Sequence, residues 1–309
     1  MEERYRHLNT FLKNKFGERT LKICINGNFT CPNRDGMYGT GGCIFCSEKG
    51  SGDHILGNDN ISKQVENYFK SYKAKRANKF IAYFQNFTNT YDTISNLKEK
   101  YDAALIDNRI VGLAIATRPD CINEDIANLL KSYSNKYYVS VELGLQTSSD
   151  KTGKLINRCY SSKTFTDAVN LLNKYNIYVV VHIIVGLPGE TRYDLENTVK
   201  FLNNHNIQGI KIHSCYVIEN TVLAKMYKNN QYSPISLEEY LESLVYIISH
   251  INPQIVIHRI SGDAPKELLL APEWNLHKKW VLNGLDKILR EKNLSQGIYY
   301  IEKQETPVQ

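Results

Sequence analysis

Six short apolar runs recur along the first two thirds of the chain, and each is followed by a stretch of different periodicity. They are LKICI (21–25), KFIAYF (79–84), VGLAIAT (111–117), YYVSVEL (137–143), YVVVHIIV (178–185) and GIKIHSCYV (209–217). Each is nearly continuous in apolar, β-branched character, as strands covered on both faces require. Helical patterns fill the gaps over 61–75, 90–105, 123–133, 163–175 and 195–204, with Asp92, Asn123 and Ser162 as expected N-caps. A repeat of roughly thirty residues is that of βα units joined by right-handed crossovers. Six units fall short of the eight that close a TIM barrel. The expected fold is therefore α/β, a partial (β/α)6 TIM-like barrel over 20–217 after a helical segment over 1–20. An α/β extension over 218–309 follows, with a helix opened by the capping box Ser236–Glu239, a strand QIVIHRI (254–260) and a basic helix around 276–292. No Pro/Gly/Ser-rich linker precedes it, so it is expected to pack on the barrel.

The chain has 309 residues, 42% of them hydrophobic. A domain of that size buries roughly 75% of its unfolded surface and needs no disulfide staples. No apolar run of about 18 residues suggests a membrane helix. The opening MEERYRHLNTFLKNKFG has no apolar core, so no signal peptide is expected. A cytoplasmic protein without a membrane partner follows, and in that compartment seven cysteines are reduced thiols or metal ligands. The formal charge of +6 permits an anionic partner such as RNA without demanding one.

Directly after the first strand comes CINGNFTCPNRDGMYGTGGCIFCSEKG (24–50). In a βα barrel that is the catalytic mouth. Cys31, Cys43 and Cys46 are spaced C-x11-C-x2-C in a loop whose glycines let it wrap a bulky ligand. Soft thiolates hold zinc or iron–sulfur clusters in preference to hard ions. A closed zinc site needs a fourth ligand, for which Cys24 and His54 are the candidates. A cubane held by three cysteines instead leaves one iron open.

The loop resembles the cluster loop of the radical S-adenosylmethionine (SAM) superfamily, with Phe45 as the aromatic before the last cysteine. Its first gap has eleven residues where the common superfamily spacing has three. FTCPNRDG, GGCIFC, AYFQNFTNTY, ATRPDC, VELGLQT, HIIVGLPGET and GDAPKELLLAPEW, in that order, are similar to the YhcC/YtqA-type bacterial radical SAM proteins, relatives of the Elongator catalytic subunit. The resemblance implies a 4Fe-4S cluster on Cys31, Cys43 and Cys46, with SAM chelated to its open iron. It also implies a one-electron reductant of the flavodoxin or ferredoxin type, whose electron lets the cluster cleave SAM to a 5′-deoxyadenosyl radical that abstracts hydrogen from substrate.

SAM would then lie across the mouth, touched by Phe45 and by the strand ends. The second strand ends in Tyr83, Gln85 and Asn86, polar residues that also suit a turn. The third ends in Thr117 and Arg118, whose planar fork suits a carboxylate, and Cys121 follows as a further catalytic candidate. The fourth carries Glu142 and Gln146. A lone carboxylate in an apolar strand is costly unless paired, so Glu142 either meets SAM or pairs with Arg118. The fifth carries His182, a candidate for the barrel interior, and Gly186, where backbone can approach an adenine. Leu143, Leu145, Tyr83 and Phe84 are expected to keep water from the radical. Arg259 and Asp263 follow the strand of the extension and would close the cavity. Basic residues recur at Lys278, Lys279, Lys287, Arg290 and Lys292, and at Arg4, Arg6, Lys13 and Lys15 near the start.

The same resemblance associates this type with tRNA wobble-uridine modification, one step being conversion of a carboxymethylaminomethyl group to aminomethyl. Arg118 or Arg259 would hold such a carboxylate. Two alternatives stay open: a radical SAM enzyme acting on a metabolite or peptide, and a zinc-stabilised RNA-binding protein.

Overall fold

A computed structural model describes residues 3–50 and 59–302. Its strands are β1 (Thr20–Ile25), β2 (Lys79–Phe84), β3 (Ile110–Thr117), β4 (Tyr138–Gln146), β5 (Tyr178–Val185), β6 (Gly209–Ser214), β7 (Val217–Ile218), β8 (Val256–Arg259) and β9 (Leu269–Ala271). Seven form one parallel sheet in the order β1-β2-β3-β4-β5-β6-β8, and β7 pairs antiparallel with β9. The partial barrel is present. It carries a seventh strand beyond the six apolar runs, because β8 returns from the extension to the free edge of β6. The run 209–217 divides at Ser214, and its last residues belong to the small second sheet.

The helices are α1 (Leu8–Phe16), α2 (Ile61–Lys70), α3 (Ile94–Ala104), α4 (Glu124–Ser134), α5 (Asp150–Leu155), α6 (Ser162–Lys174), α7 (Arg192–Asn203), α8 (Val222–Lys228), α9 (Leu237–His250) and α10 (Lys278–Glu291). The pattern over 61–75 breaks at Ser71 into a 3-10 turn. Asn123 caps α4, accepting the Ile126 N–H at 2.9 Å. The caps of α3 and α6 are Thr93 and Ser161, one residue before or after the expected Asp92 and Ser162. Adjacent residues there are equally able to cap, so composition alone does not choose. Ser236 and Glu239 form their capping box at the start of α9.

Outward side chains of the sheet, such as Ile23, Phe84, Leu113 and Val141, are fully buried in one core with Val65, Tyr101, Leu130 and Phe165 from the covering helices. The inward face is mixed. Ile81, Tyr83 and Ala114 pack on Leu12 of α1. Phe11 of the same helix lies 5.6 Å from the Tyr178 ring, and Phe16 lies 6.0 Å from Tyr138. Both tyrosines begin their strands, so α1 plugs the N-terminal end of the barrel and leaves the C-terminal end open. It also spans the unpaired edges, touching both β1 and β8. The preceding backbone extends this closure, for the Ile257 N–H donates to the Arg6 carbonyl at 2.9 Å.

Leu12 is 2% exposed in the middle of this plug. Leu12→Ala should therefore cost about 2–5 kcal/mol of unfolding free energy by leaving a cavity. Urea denaturation of the two proteins measures it.

Candidate active site

The cysteine loop is built by backbone turns and then pinned from outside. Cys31 opens a turn whose carbonyl accepts the Arg34 N–H at 2.8 Å. The Cys43–Cys46 turn is closed by the Cys46 N–H on the Cys43 carbonyl at 3.0 Å. Between them Gly42 adopts φ +78°, and a Cβ there would stand 2.8 Å from Arg34 Nε, so only glycine fits. Arg34 Nη2 ties down the carbonyls of Cys46 (3.1 Å) and Ser47 (2.5 Å).

The segment after α5 holds the loop from the other side. Asn157 Nδ2 donates to the Gly42 carbonyl at 2.8 Å, and Asn33 Nδ2 donates to the Asn157 carbonyl at 2.6 Å. The Ile44 N–H donates to the Ile156 carbonyl at 3.1 Å. Arg158 is fully buried beneath. It bonds the carbonyls of Leu145 (2.8 Å) and Thr147 (2.7 Å) and the Asp150 carboxylate (2.8 Å). Tyr160 Oη donates to the Gly144 carbonyl at 2.5 Å, and its ring lies 4.8 Å from each of the guanidinium groups of Arg118 and Arg158. Sequence reasoning passed over Asn33, Asn157, Arg158 and Tyr160. Nothing in the local pattern of INRCY (156–160) marks it as a partner of a loop more than a hundred residues earlier.

Cys31, Cys43 and Cys46 line a single cavity of about 280 Å³ at the open end of the barrel. Phe45, Tyr83, Gln85, Thr117, Arg118, Glu142, Gln146 and His182 also line it. Asn86 and Gly186 do not. Asn86 is buried behind the second strand's end. The Gly186 carbonyl accepts Tyr232 Oη at 2.8 Å, and Ile235 packs where its Cβ would be. Cys121 lines a separate cavity with Asp120 and Thr90. Phe84, Leu143 and Leu145 face the outer core, so they do not screen the cavity. Strand alternation sends each away from its inward neighbours Tyr83, Glu142 and Gly144.

The expected pairing of Glu142 with Arg118 is absent. Arg118 instead grips Asp120 in a fork, Nε to Oδ1 at 2.9 Å and Nη2 to Oδ2 at 2.6 Å. Glu142 is fully buried and has different partners: Lys22 Nζ at 2.6 Å, His182 Nε2 at 2.9 Å and Lys211 Nζ. Lys211 Nζ also donates to Tyr83 Oη at 3.0 Å. Five strands thus meet on one carboxylate-centred cluster at the base of the cavity. Burial alone would raise the Glu142 pKa, but Lys211, Lys22 and His182 hold it well below the usual carboxylate range. Burial, with Lys211 beside it, pushes His182 down to about 4, so its imidazole is neutral at pH 7. Lys22 and Lys211 were hidden in runs read as apolar, although each is the same kind of anomaly as Glu142.

The donor set fits an iron–sulfur cluster. Three soft thiols share one mouth, and burial, reinforced by Cys46 and Cys31, pushes the Cys43 thiol up to about 12. Such a thiol ionises when a cation replaces its proton. Among the described residues, no group of three or more His, Cys, Asp or Glu is close enough to hold a single metal ion. Cys24 lies on β1 and does not line the cavity, and His54 lies outside the described residues.

The profile of the Radical SAM superfamily matches residues 33–202, and that of the Radical SAM C-terminal domain matches residues 207–291. The chain belongs to the radical SAM superfamily. It is 38% identical to YtqA of Bacillus subtilis (strain 168) over 97% of this chain and 94% of YtqA. It is 34% identical to YhcC of Escherichia coli (strain K12) over 91% of this chain and 90% of YhcC. A tRNA uridine(34) acetyltransferase of Methanocaldococcus infernus is 30% identical over 63% of this chain, which spans 34% of that protein. The solved structure of archaeal Methanocaldococcus infernus Elp3 aligns with a TM-score of 0.69 at 20% identity, over 90% of this chain and 64% of that chain. That likeness is one of fold. The family implies a 4Fe-4S cluster and SAM as cofactors. Among the described residues no helix is long and apolar enough to cross a membrane.

Removing Glu142 would strand two ammonium groups inside this radical SAM barrel, so Glu142→Ala should cost about 3–5 kcal/mol in denaturant-unfolding free energy. The cluster also sets a pH dependence. Folded His182 takes its proton only near 4, whereas the unfolded side chain takes it near its ordinary value of 6.5. The unfolded state binds more protons between those values, so stability falls as pH drops through that window. His213 and His258 are lowered as well and add to the slope. His182→Gln should flatten the slope of unfolding free energy against pH by up to one proton without abolishing it.

Proposed function

We propose that this radical SAM enzyme holds a 4Fe-4S cluster on Cys31, Cys43 and Cys46 and acts on a modified wobble uridine of tRNA. The observation that carries the reading is the convergence of those three cysteines, from one loop, on a single cavity at the open end of the barrel. When bound, the cluster and SAM together supply reductive cleavage of SAM and a hydrogen-abstracting radical.

The chain's own residues then position, orient and exclude. Arg34 and Asn157 fix the loop carbonyls so that the thiols keep their spacing. Phe45 packs beside Ile44 over the apolar cluster that includes Ile156 and Leu187 and limits water at the mouth. Gln85, Thr117 and Gln146 line the wall and offer polar atoms to SAM, and Tyr160 holds Gln146 Oε1 at 2.9 Å. Arg118 keeps its charge beside the thiols. Glu142 stays in the base, tied to Lys22 and Lys211, and His182 is tied to Glu142, so they orient the floor instead of moving a proton. Electrons come from a one-electron donor of the flavodoxin or ferredoxin class, and the enzyme works in the cytosol.

The tRNA substrate is supported by similarity to the tRNA uridine(34) acetyltransferase over 63% of this chain. The carboxymethylaminomethyl-to-aminomethyl step is the favoured reaction. A metabolite or peptide substrate is the second reading.

Protein purified without oxygen should be brown and carry about four irons per chain, and Cys43→Ala should lose both colour and iron. A colourless protein with one zinc would overturn the cluster and favour a zinc-stabilised RNA-binding protein. Mass spectrometry of tRNA nucleosides from a deletion strain should show the carboxymethylaminomethyl form of uridine accumulating. Unchanged wobble uridines would remove the tRNA substrate and leave the iron result standing.

A further inference from the structure

The base of the cavity holds more cations than carboxylates. Lys22 and Lys211 share Glu142, and Arg259 and Lys278 share Asp263, so the cations outnumber the carboxylates. Glu142 is already served by Lys22 at 2.6 Å from the plugged end. Lys211 is therefore a second ammonium on one buried carboxylate, and its other near neighbour is the Tyr83 hydroxyl. Arg259 makes only a long contact with Asp263, 3.4 Å, and Asp263 is shared with Lys278 at 3.2 Å. Lys211 and Arg259 both line the cavity, and β6 and β8 place them side by side in register.

His213 also lines this end. Its Nε2 is buried and has no hydrogen-bond partner among the described residues, and its ring lies 5.2 Å from that of His182. Orphaned buried polar atoms are rare and call for a partner. The crowding is costly for Lys211: burial, with Lys22 and Arg259 nearby, pushes it down to about 7. An anion here would offset that cost. Arg118, whose fork is closed on Asp120, is not available for the purpose.

We propose that Lys211 and Arg259, with His213 beside them, form a subsite that takes a carboxylate of the substrate at the base of the cavity. The inference rests on the proposed function only in assuming that this cavity receives the substrate's reacting group. It makes the subsite, and not the cysteine loop, the feature that selects a carboxymethyl-bearing substrate. The other possible source of a carboxylate is SAM itself, and the test separates the two.

The anaerobically reconstituted enzyme with SAM bound is titrated with 5-carboxymethylaminomethyluridine and with its methyl ester, which differ by one charge. The acid should bind at least about tenfold tighter, as a charge-assisted contact allows. In Arg259→Met and in Lys211→Met the ester should bind as before, the preference should fall to near one, and SAM affinity should be unchanged. Arg259 is partly exposed, so its variant keeps the test decisive if Lys211→Met does not fold. Equal binding of acid and ester by the unaltered enzyme, or a preference that survives Arg259→Met, overturns the subsite. Loss of SAM binding in the variants with the acid preference intact assigns these cations to SAM and overturns it too. If neither nucleoside binds, the uridine reading fails and N-methylglycine is compared with N-methylglycinamide by thermal unfolding. Stabilisation by the acid alone, lost in Arg259→Met, keeps the subsite, and no stabilisation removes it.

Discussion

The interior of this barrel depends on a carboxylate that water cannot reach. Glu142 would not stay ionised in a dry barrel by itself, because burial of a bare charge is prohibitive. It does so because Lys22 from β1, Lys211 from β6 and His182 from β5 converge on it. The contact spans the sheet from its first strand to its sixth, so it sets the curvature as well as the charge of the interior. A purely apolar filling would pack as stably or more so. What the ionic filling adds is a polar floor beneath a mouth whose own groups are thiols and an arginine.

The mouth has a separate support. Its cysteines sit on a glycine-bearing loop with little regular structure, and its rigidity is borrowed. Asn157 and Asn33 connect it to the turn after α5, and Arg158 anchors that turn to the carbonyls at the end of β4. Under the proposed function, three thiols that meet one rigid cluster need their backbone fixed before it arrives. The buried arginine achieves this with neutral acceptors and one partly exposed aspartate, so it adds little charge to the cavity.

Much of this fold is legible in the order of residues. KFIAYF and YVVVHIIV match β2 and β5 end to end, because strands buried on both faces show as unbroken apolar runs. The cysteine loop announces its chemistry through ligand type and spacing. What is not legible falls into two kinds. The first is the pairing of distant charges: Lys22 and Glu142 are 120 residues apart, and no local periodicity links them. A carboxylate in an apolar strand signals that a partner exists without saying which, and the partners are Lys22, Lys211 and His182 in place of Arg118. The second is strand membership. β8 has four residues, too few to distinguish a seventh barrel strand from a stray edge, and only the open side of β6 decides it.

That late strand has a consequence for the order in which the protein is made. Cys31, Cys43 and Cys46 leave the ribosome long before β8, which brings Arg259 beside Lys211. A nascent chain thus carries its cysteines long before the wall opposite them is complete, and the tie between Ile257 and Arg6 forms only once β8 has emerged. For the proposed cluster, assembly on a finished barrel, and not on the growing polypeptide, is the sequence of events this topology favours.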